Sequence, residues 1–238
     1  MAIAFISDLH ITPDQPEILR RLSRFLDEQQ GKLDALYILG DLFEYWIGDD
    51  ASDYTGQANT ESVLQDFTRS GCPVYIMHGN RDFLLGREFA NRCGCSLIDD
   101  PHEIDLFGER VLLVHGDSLC TDDTEHQEFR DLVRTPNWRD EFLSKTIEQR
   151  DAIAKQLRYR SEAGKQIKSM DIMDVNSDAV LNLMTAHKVQ LLIHGHTHRP
   201  AIHDLTVSGA AGKRIVLGDW YEQSSMLIAT ETNLTLTP

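Results

Sequence analysis

Five stretches of the chain share one pattern, a short β-branched or aliphatic run that stops at a glycine or a polar cluster. They read AIAFISDLH, ALYILGDLF, VYIMHGNRD, RVLLVHGDS and QLLIHGHTH. Unbroken apolar runs of this length, closed by turn residues, predict strands buried on both faces. Between the early ones, apolar positions at helical spacing predict helices over Pro16–Gln30, about Thr60–Ser70 and about Leu84–Cys93. A further helix is expected over Asp174–His187, with Asp174 or Asn176 as its N-cap. Alternating strands and helices imply an α/β fold. The C-terminal RIVLGDWYEQSSMLIATETNLTLTP changes to closely spaced strands, so the sheet is expected to gain antiparallel members there.

From about Asp123 to Ser169 the strand signal stops. Apolar residues recur there at helical spacing (Trp138, Phe142, Ile147, Ile153, Leu157) among many charges. The segment reads as a helical insertion at about 123–169 within a single domain spanning 1–238, a lid over the strand ends. Its apolar stripe is expected to be mainly ordinary core, with the wall of an apolar pocket as the other reading.

Length and composition narrow the class. A chain of 238 residues buries a substantial core without covalent staples. Cys72, Cys93, Cys95 and Cys120 lack the spacing of a structural zinc site and are expected to be reduced thiols of a cytoplasmic protein. The start, MAIAFISD, lacks the features of a signal peptide, and no apolar stretch is long enough to span a bilayer. A formal net charge of −15 argues against general nucleic-acid binding, which depends on cations displacing counterions from phosphates. The charge is uneven, however: Arg130–Lys168 holds ten Lys or Arg against six Asp or Glu, which points to an anionic partner there.

Candidate chemistry sits where the five strands end: Asp8 and His10, Asp41, Asn80, His115, and His196 with His198. In open α/β sheets, functional groups collect beyond the carboxyl ends of the strands. Seven residues of metal-ligand type arriving there separately suit two divalent cations, with Asp41 as the bridging carboxylate. Asp8, His10 and one histidine of GHTH would complete one site, and Asn80, His115 and the other histidine the second. Oxygen and imidazole donors without thiolate suit Mn²⁺, Fe²⁺, Co²⁺ or Zn²⁺. Asp82 and Asp117 are placed to orient ligands from behind. His78, His102, His126, His187 and His203, and the GDD of residues 48–50, take structural or surface readings.

SDLH, GDLF, GNRD, VHGD and GHTH together resemble the five blocks of the calcineurin-like dinuclear metallophosphoesterases, in order, from Asp8 to His198. The resemblance implies a four-layer αββα sandwich of two mixed sheets flanked by helices. It assigns Asp8, His10, Asp41 and His198 to one metal and Asp41, Asn80, His115 and His196 to the other. LDALYILGDLFEYWIGDD, HGNRDFLLG, HGDSLCTDD, IMDVN and IHGHTHRP narrow it further, to the UDP-2,3-diacylglucosamine diphosphatases of the lipid A pathway. That family implies hydrolysis of a UDP-linked diacylated glucosamine lipid, with water attacking the α-phosphorus, to UMP and 2,3-diacylglucosamine 1-phosphate (lipid X). It also implies two Mn²⁺ ions per chain and peripheral association with the cytoplasmic face of the inner membrane. Asn80, Arg81, Asp123, Ser161, Lys168 and His196 are carried over as substrate contacts. Lys165 is included with them, although the family often has asparagine at that position.

One position departs from the broader superfamily, whose GNH block places a histidine to protonate an alkoxide leaving group. Arg81 stands there instead, and arginine donates no proton near neutral pH. A diphosphate expels a phosphate monoester whose second pKa is about 6, so it leaves without protonation. A guanidinium then compensates charge on the phosphoryl oxygens, which makes Arg81 the expected catalytic residue beside Asn80. Two alternatives are a hydrolase of a soluble nucleotide diphosphate and a non-enzymatic scaffold with the same fold.

Overall fold

The computed structural model of the protein describes residues 1–165, 172 and 174–237, with residues 162–165 described by backbone alone. Strands β1 (Ala2–Ile6), β2 (Ala35–Leu39), β3 (Val74–Met77) and β4 (Ser96–Ile98) run parallel in one sheet. The antiparallel β10 (Met226–Thr230) and β11 (Leu234–Thr237) extend its other side, giving the order β11-β10-β1-β2-β3-β4. The second sheet is ordered β5-β6-β7-β9-β8, from β5 (His102–Leu106), β6 (Glu109–Leu113), β7 (Leu191–His194), β8 (Ala201–Val207) and β9 (Ala210–Val216). Parallel pairing of β6 with β7 and of β7 with β9 makes this sheet mixed as well. As the sequence predicts, antiparallel strands appear towards the C-terminus.

Helices α1 (Pro16–Gln29), α2 (Ala58–Arg69) and α3 (Arg87–Cys93) cover the first sheet, and α7 (Ser177–His187) covers the second. In α1, proline opens the helix and Ile18, Leu22, Phe25 and Leu26 repeat at helical spacing to form its buried face. Asn176 rather than Asp174 caps α7, its side chain accepting from the amides of Asp178 and Ala179. Between the sheets, Phe5, Leu39, Met77, Leu113, Ile193 and Ile215 form an apolar layer that fixes the sheets face to face. This is the four-layer α/β sandwich expected from the sequence.

Three helices fill the region without strands: α4 (Thr124–Val133), α5 (Pro136–Leu143) and α6 (Ile147–Lys165). Capping separates the first two, because Thr135 accepts from the Trp138 amide and Pro136 starts α5. Phe142 enters the core beside the first sheet, where Trp138, Ile147 and Ile153 pack against it. The buried Arg150 makes a two-pronged pair with Asp50 and donates to the Ile47 carbonyl at 2.6 Å, which fixes α6 to the body. The GDD of residues 48–50 is therefore more than a surface loop. Asp49 accepts from the amides of Gly86 and Phe89 at the start of α3, and Asp50 anchors α6.

Candidate dinuclear metal centre

The carboxyl ends of β1, β2 and β3 in one sheet and of β6 and β7 in the other meet at one edge of the sandwich. The turns that follow bring together all seven ligand candidates. Asp8 and His115 are fully buried, and Asp41 and His10 are 2% and 3% exposed. Asp8, His10, Asp41, His196 and His198 all have φ between 51° and 68°. Non-glycine residues in this left-handed region carry backbone strain, which persists only where the surroundings over-determine it. Glycine is required beside them: a Cβ at Gly79 would overlap the Asp41 carboxylate, and one at Gly195 would overlap Ser7 and Asp8.

Distances divide the ligands into two groups. Asp8 Oδ1 lies 3.3 Å from His198 Nε2 and 4.0 Å from His10 Nε2, while Asp41 Oδ2 is 3.9 Å from the same His10 nitrogen. On the other side, Asp41 Oδ1 is 3.7 Å from His115 Nε2, and Asn80 Oδ1 is 3.0 Å from His115 Nε2 and 2.9 Å from His196 Nδ1. The two oxygens of Asp41 thus face opposite groups, which places this carboxylate between them.

The donor set fits cations. His10 Nδ1 lies 3.1 Å from Glu44 Oε2, His198 Nδ1 lies 3.2 Å from Asp219 Oδ2, and His115 Nδ1 bonds the Leu39 carbonyl at 2.9 Å. Asp219 and the Leu39 carbonyl favour the proton on Nδ1 of His198 and His115, the nearby Glu44 carboxylate favours it on Nδ1 of His10, and Nε2 of each ring is left facing inward as a lone pair. The His10 and His198 Nε2 atoms then confront each other at 3.2 Å, and the buried Asp8 Oδ1 has no hydrogen-bond partner among the described residues. Lone pairs converging in a buried space need a cation or protons between them.

Where no cation is bound, electrostatics favours the second option. Burial alone would depress His198, but Asp8 and Asp219 overcome it and raise the pKa to about 10. Burial likewise opposes protonation of His115, and Asp41, Asp117 and Asp8 reverse this, raising it to about 9. His196 goes the other way, because burial and the neighbouring His115 cation push it well below the ordinary histidine value. Asp8 is driven strongly down by its histidine neighbours against the effect of burial.

Around the ligands, Asp82 behaves as the sequence suggests. Its buried carboxylate accepts from Gly79 N at 2.8 Å, Leu42 N at 2.8 Å and Phe43 N at 3.3 Å, tying the Asp41 and Asn80 turns together. Asp117 does not bond to a ligand. It pairs with Arg130 at 2.9 Å and Arg134 at 3.3 Å, so it fastens α4 to the strand ends instead. Sequence reasoning missed Glu44 and Asp219, which act on ligands from distant positions in the chain, and gave His126 a bland role. The His126 ring lies 5.6 Å from that of His196 and lines the same cavity.

That cavity measures about 860 Å³ and joins the metal centre to the helical insertion. Asn80, Arg81, His196, Asp123 and Ser161 line it, together with Phe83, Trp138, Phe142 and Leu157. Of the apolar stripe, Trp138, Phe142 and Leu157 reach the cavity, whereas Ile147 and Ile153 serve the core. Asp123 also caps α4 by accepting from His126 N at 3.2 Å. Arg81 donates its backbone amide to Asp41 Oδ1 at 2.8 Å, and no carboxylate pairs with its guanidinium among the described residues. Lys168 lies outside the described residues, as does the side chain of Lys165.

Comparison with known proteins agrees with this geometry. The calcineurin-like phosphoesterase family model matches residues 1–200. The chain is 48% identical to a UDP-2,3-diacylglucosamine hydrolase of Cellvibrio japonicus over 99% of its own length and 98% of that protein. It is 49% identical to the Aeromonas salmonicida protein of the same name (97% of this chain and 90% of that one) and 48% identical to the one from Stenotrophomonas maltophilia (95% and 94%). The chain belongs to the calcineurin-like phosphoesterases and, within them, to the UDP-2,3-diacylglucosamine hydrolase family.

Proposed function

We propose that the protein hydrolyses the diphosphate of UDP-2,3-diacylglucosamine, with water attacking the α-phosphorus to give UMP and 2,3-diacylglucosamine 1-phosphate, in lipid A biosynthesis. The observation that carries this reading is the two-ended cavity. A phosphate-handling wall of imidazole, carboxylate, amide and guanidinium faces an apolar wall from the helical insertion, in one space of about 860 Å³. A diphosphate joined to acyl chains needs both walls, and a soluble nucleotide needs only the first.

Asp8, His10, Asp41 and His198 would hold one metal, and Asp41, Asn80, His115 and His196 the other. The open N/O donor set suits Mn²⁺. Two divalent metals held there would supply polarisation of the phosphoryl group and a lowered pKa for water. Arg81 lines the cavity beside Asn80 and supplies a fixed positive charge with forked donors for the phosphoryl oxygens. His196 and Asn80 are fixed against each other at the reacting end, and Asp123 and Ser161 lie along the route to the insertion. Lys165 and Lys168 are carried over with them as proposed substrate contacts. We read residues of about 123–169 as a lid on a single domain, its apolar side chains receiving the acyl chains.

An acylated substrate resides in a bilayer, so the enzyme works by peripheral association with the cytoplasmic face of the inner membrane. Among the described residues no helix is long and apolar enough to cross a membrane, which is compatible with attachment from one side. Hydrolysis in ¹⁸O-labelled water with Mn²⁺ tests the chemistry. Label is expected in UMP; label in the lipid phosphate would place the attack on the other phosphorus.

A further inference from the structure

Beside the main cavity lies a smaller niche of about 210 Å³, and the two share Thr197 and Arg199. Thr197 stands between His196 and His198, so the niche opens within one residue of ligands from both metal groups. Its lining is unlike that of the lid. Asp174, Arg199, His203 and Arg214 bring charge and hydrogen-bonding capacity, with Pro200, Ala201 and Val216 as apolar walls. The space is below that of pockets for whole drug-sized ligands and is on the scale of a single small ring.

The polar groups are held in place. Arg199 donates to Asp174 Oδ2 at 2.7 Å, and Asp174 Oδ1 accepts from Val175 N at 2.7 Å. Arg214 reaches His194 Nε2 at 3.2 Å, while His194 Nδ1 donates to the Gly195 carbonyl at 2.8 Å. The Thr197 hydroxyl oxygen is buried and has no hydrogen-bond partner among the described residues. A buried hydroxyl of this kind costs free energy unless a ligand or water satisfies it.

The substrate has a part that neither the metal centre nor the apolar lid suits, the pyrimidine. Uracil presents a carbonyl, an N–H and a second carbonyl along one edge. The niche offers one fixed carboxylate with a guanidinium and a hydroxyl near it. We propose that this niche receives the uracil ring, with Asp174 accepting from the N3–H and Arg214 donating to a flanking carbonyl. Arg199 positions the Asp174 carboxylate. Cytosine, with an acceptor at N3 and an amine beside it, would set lone pairs against the Asp174 carboxylate. The niche therefore selects the base, the metal centre the diphosphate, and the lid the acyl chains. This inference rests on the UDP-lipid reading above.

The test compares kcat/KM of the Mn²⁺-loaded wild-type protein on UDP-diacylglucosamine, its CDP counterpart and its 3-methyluridine counterpart. Losing a hydrogen bond to a charged group predicts values about 10- to 100-fold lower for both analogues. Equal turnover of all three would overturn the niche assignment and leave the diphosphatase reading intact. Failure to hydrolyse any of them would overturn that reading, and the inference with it. In Asp174→Asn the preference for uracil over cytosine should shrink about tenfold or more, because an amide can also donate to the cytosine N3. A ratio unchanged from wild type in a folded variant contradicts the proposal, since loss of stability alone would lower both rates together.

Discussion

Four of the seven ligand candidates at the strand ends are at most 3% exposed, and five of the seven have left-handed backbone. In the helical insertion, Tyr159 is 76% and Leu132 56% exposed, and among its described side chains only Val133, Phe142, Arg150 and Asp151 are buried. The first region spends backbone strain and buried charge to fix a few atoms. Such strain survives only on a scaffold as rigid as two packed sheets. The second is fastened at a few points, by Arg150 to Asp50 and by Arg130 and Arg134 to Asp117, and presents broad apolar surface between them. Charge on a phosphoryl group must be met within a fraction of an ångström, whereas acyl chains need only apolar area of roughly the right shape.

The largest expected break in this contrast comes from Asp41→Asn. Replacing the bridging carboxylate should lower kcat/KM on the order of 10³-fold or more, about 4 kcal/mol in the barrier. Bound metal measured by elemental analysis should fall below two per chain. Retention of both metals and of activity would remove Asp41 from the bridge.

Arg81→Lys separates charge from ligation within the same wall. Because Arg81 binds no metal in this account, metal content should stay at the wild-type level while kcat falls about 10²-fold through the loss of forked donors. Near-wild-type kcat would reduce Arg81 to a surface charge.

A smaller effect appears in the metal-free protein. His198 and His115 are raised to about 10 and about 9, above the ordinary histidine value of about 6.5, so the folded state holds their protons more tightly than the unfolded chain does. Their contribution to stability is fully present below about pH 6.5 and is lost as pH climbs towards 10. The melting temperature without metal should therefore fall, on the order of 5 °C, between pH 6.5 and 10. Added Mn²⁺ takes the same nitrogens, so its stabilising effect should grow over that range. A Tm that is flat with pH, and an equal Mn²⁺ effect at both ends, would contradict the converging-lone-pair account.

The same contrast explains what was legible in the chain. Each ligand follows an apolar run that ends at a turn, so a fully buried strand announces the position of its terminal Asp, Asn or His. The four-layer fold and the meeting of all seven candidate ligands follow from that pattern together with the family resemblance. Glu44 and Asp219 did not stand out, because a carboxylate oriented towards a histidine from another loop leaves no local pattern. Strands β4 and β5 were missed for a related reason: both are half-exposed edge strands, without the unbroken apolar run that marks the buried ones. In the insertion, helical spacing identified the helices but could not separate side chains that reach the cavity from those that serve the core, since both lie on apolar faces.

The central claim is that the strand-end wall and the lid act on two ends of one molecule. Its most direct test is kcat/KM of the Mn²⁺-loaded protein on UDP-2,3-diacylglucosamine against UDP-glucosamine without acyl chains. Burial of acyl chains in the lid predicts a preference for the acylated substrate of at least about 10²-fold, on the order of 3 kcal/mol. Equal turnover of the two would contradict the account and make the enzyme a hydrolase of soluble nucleotide diphosphates.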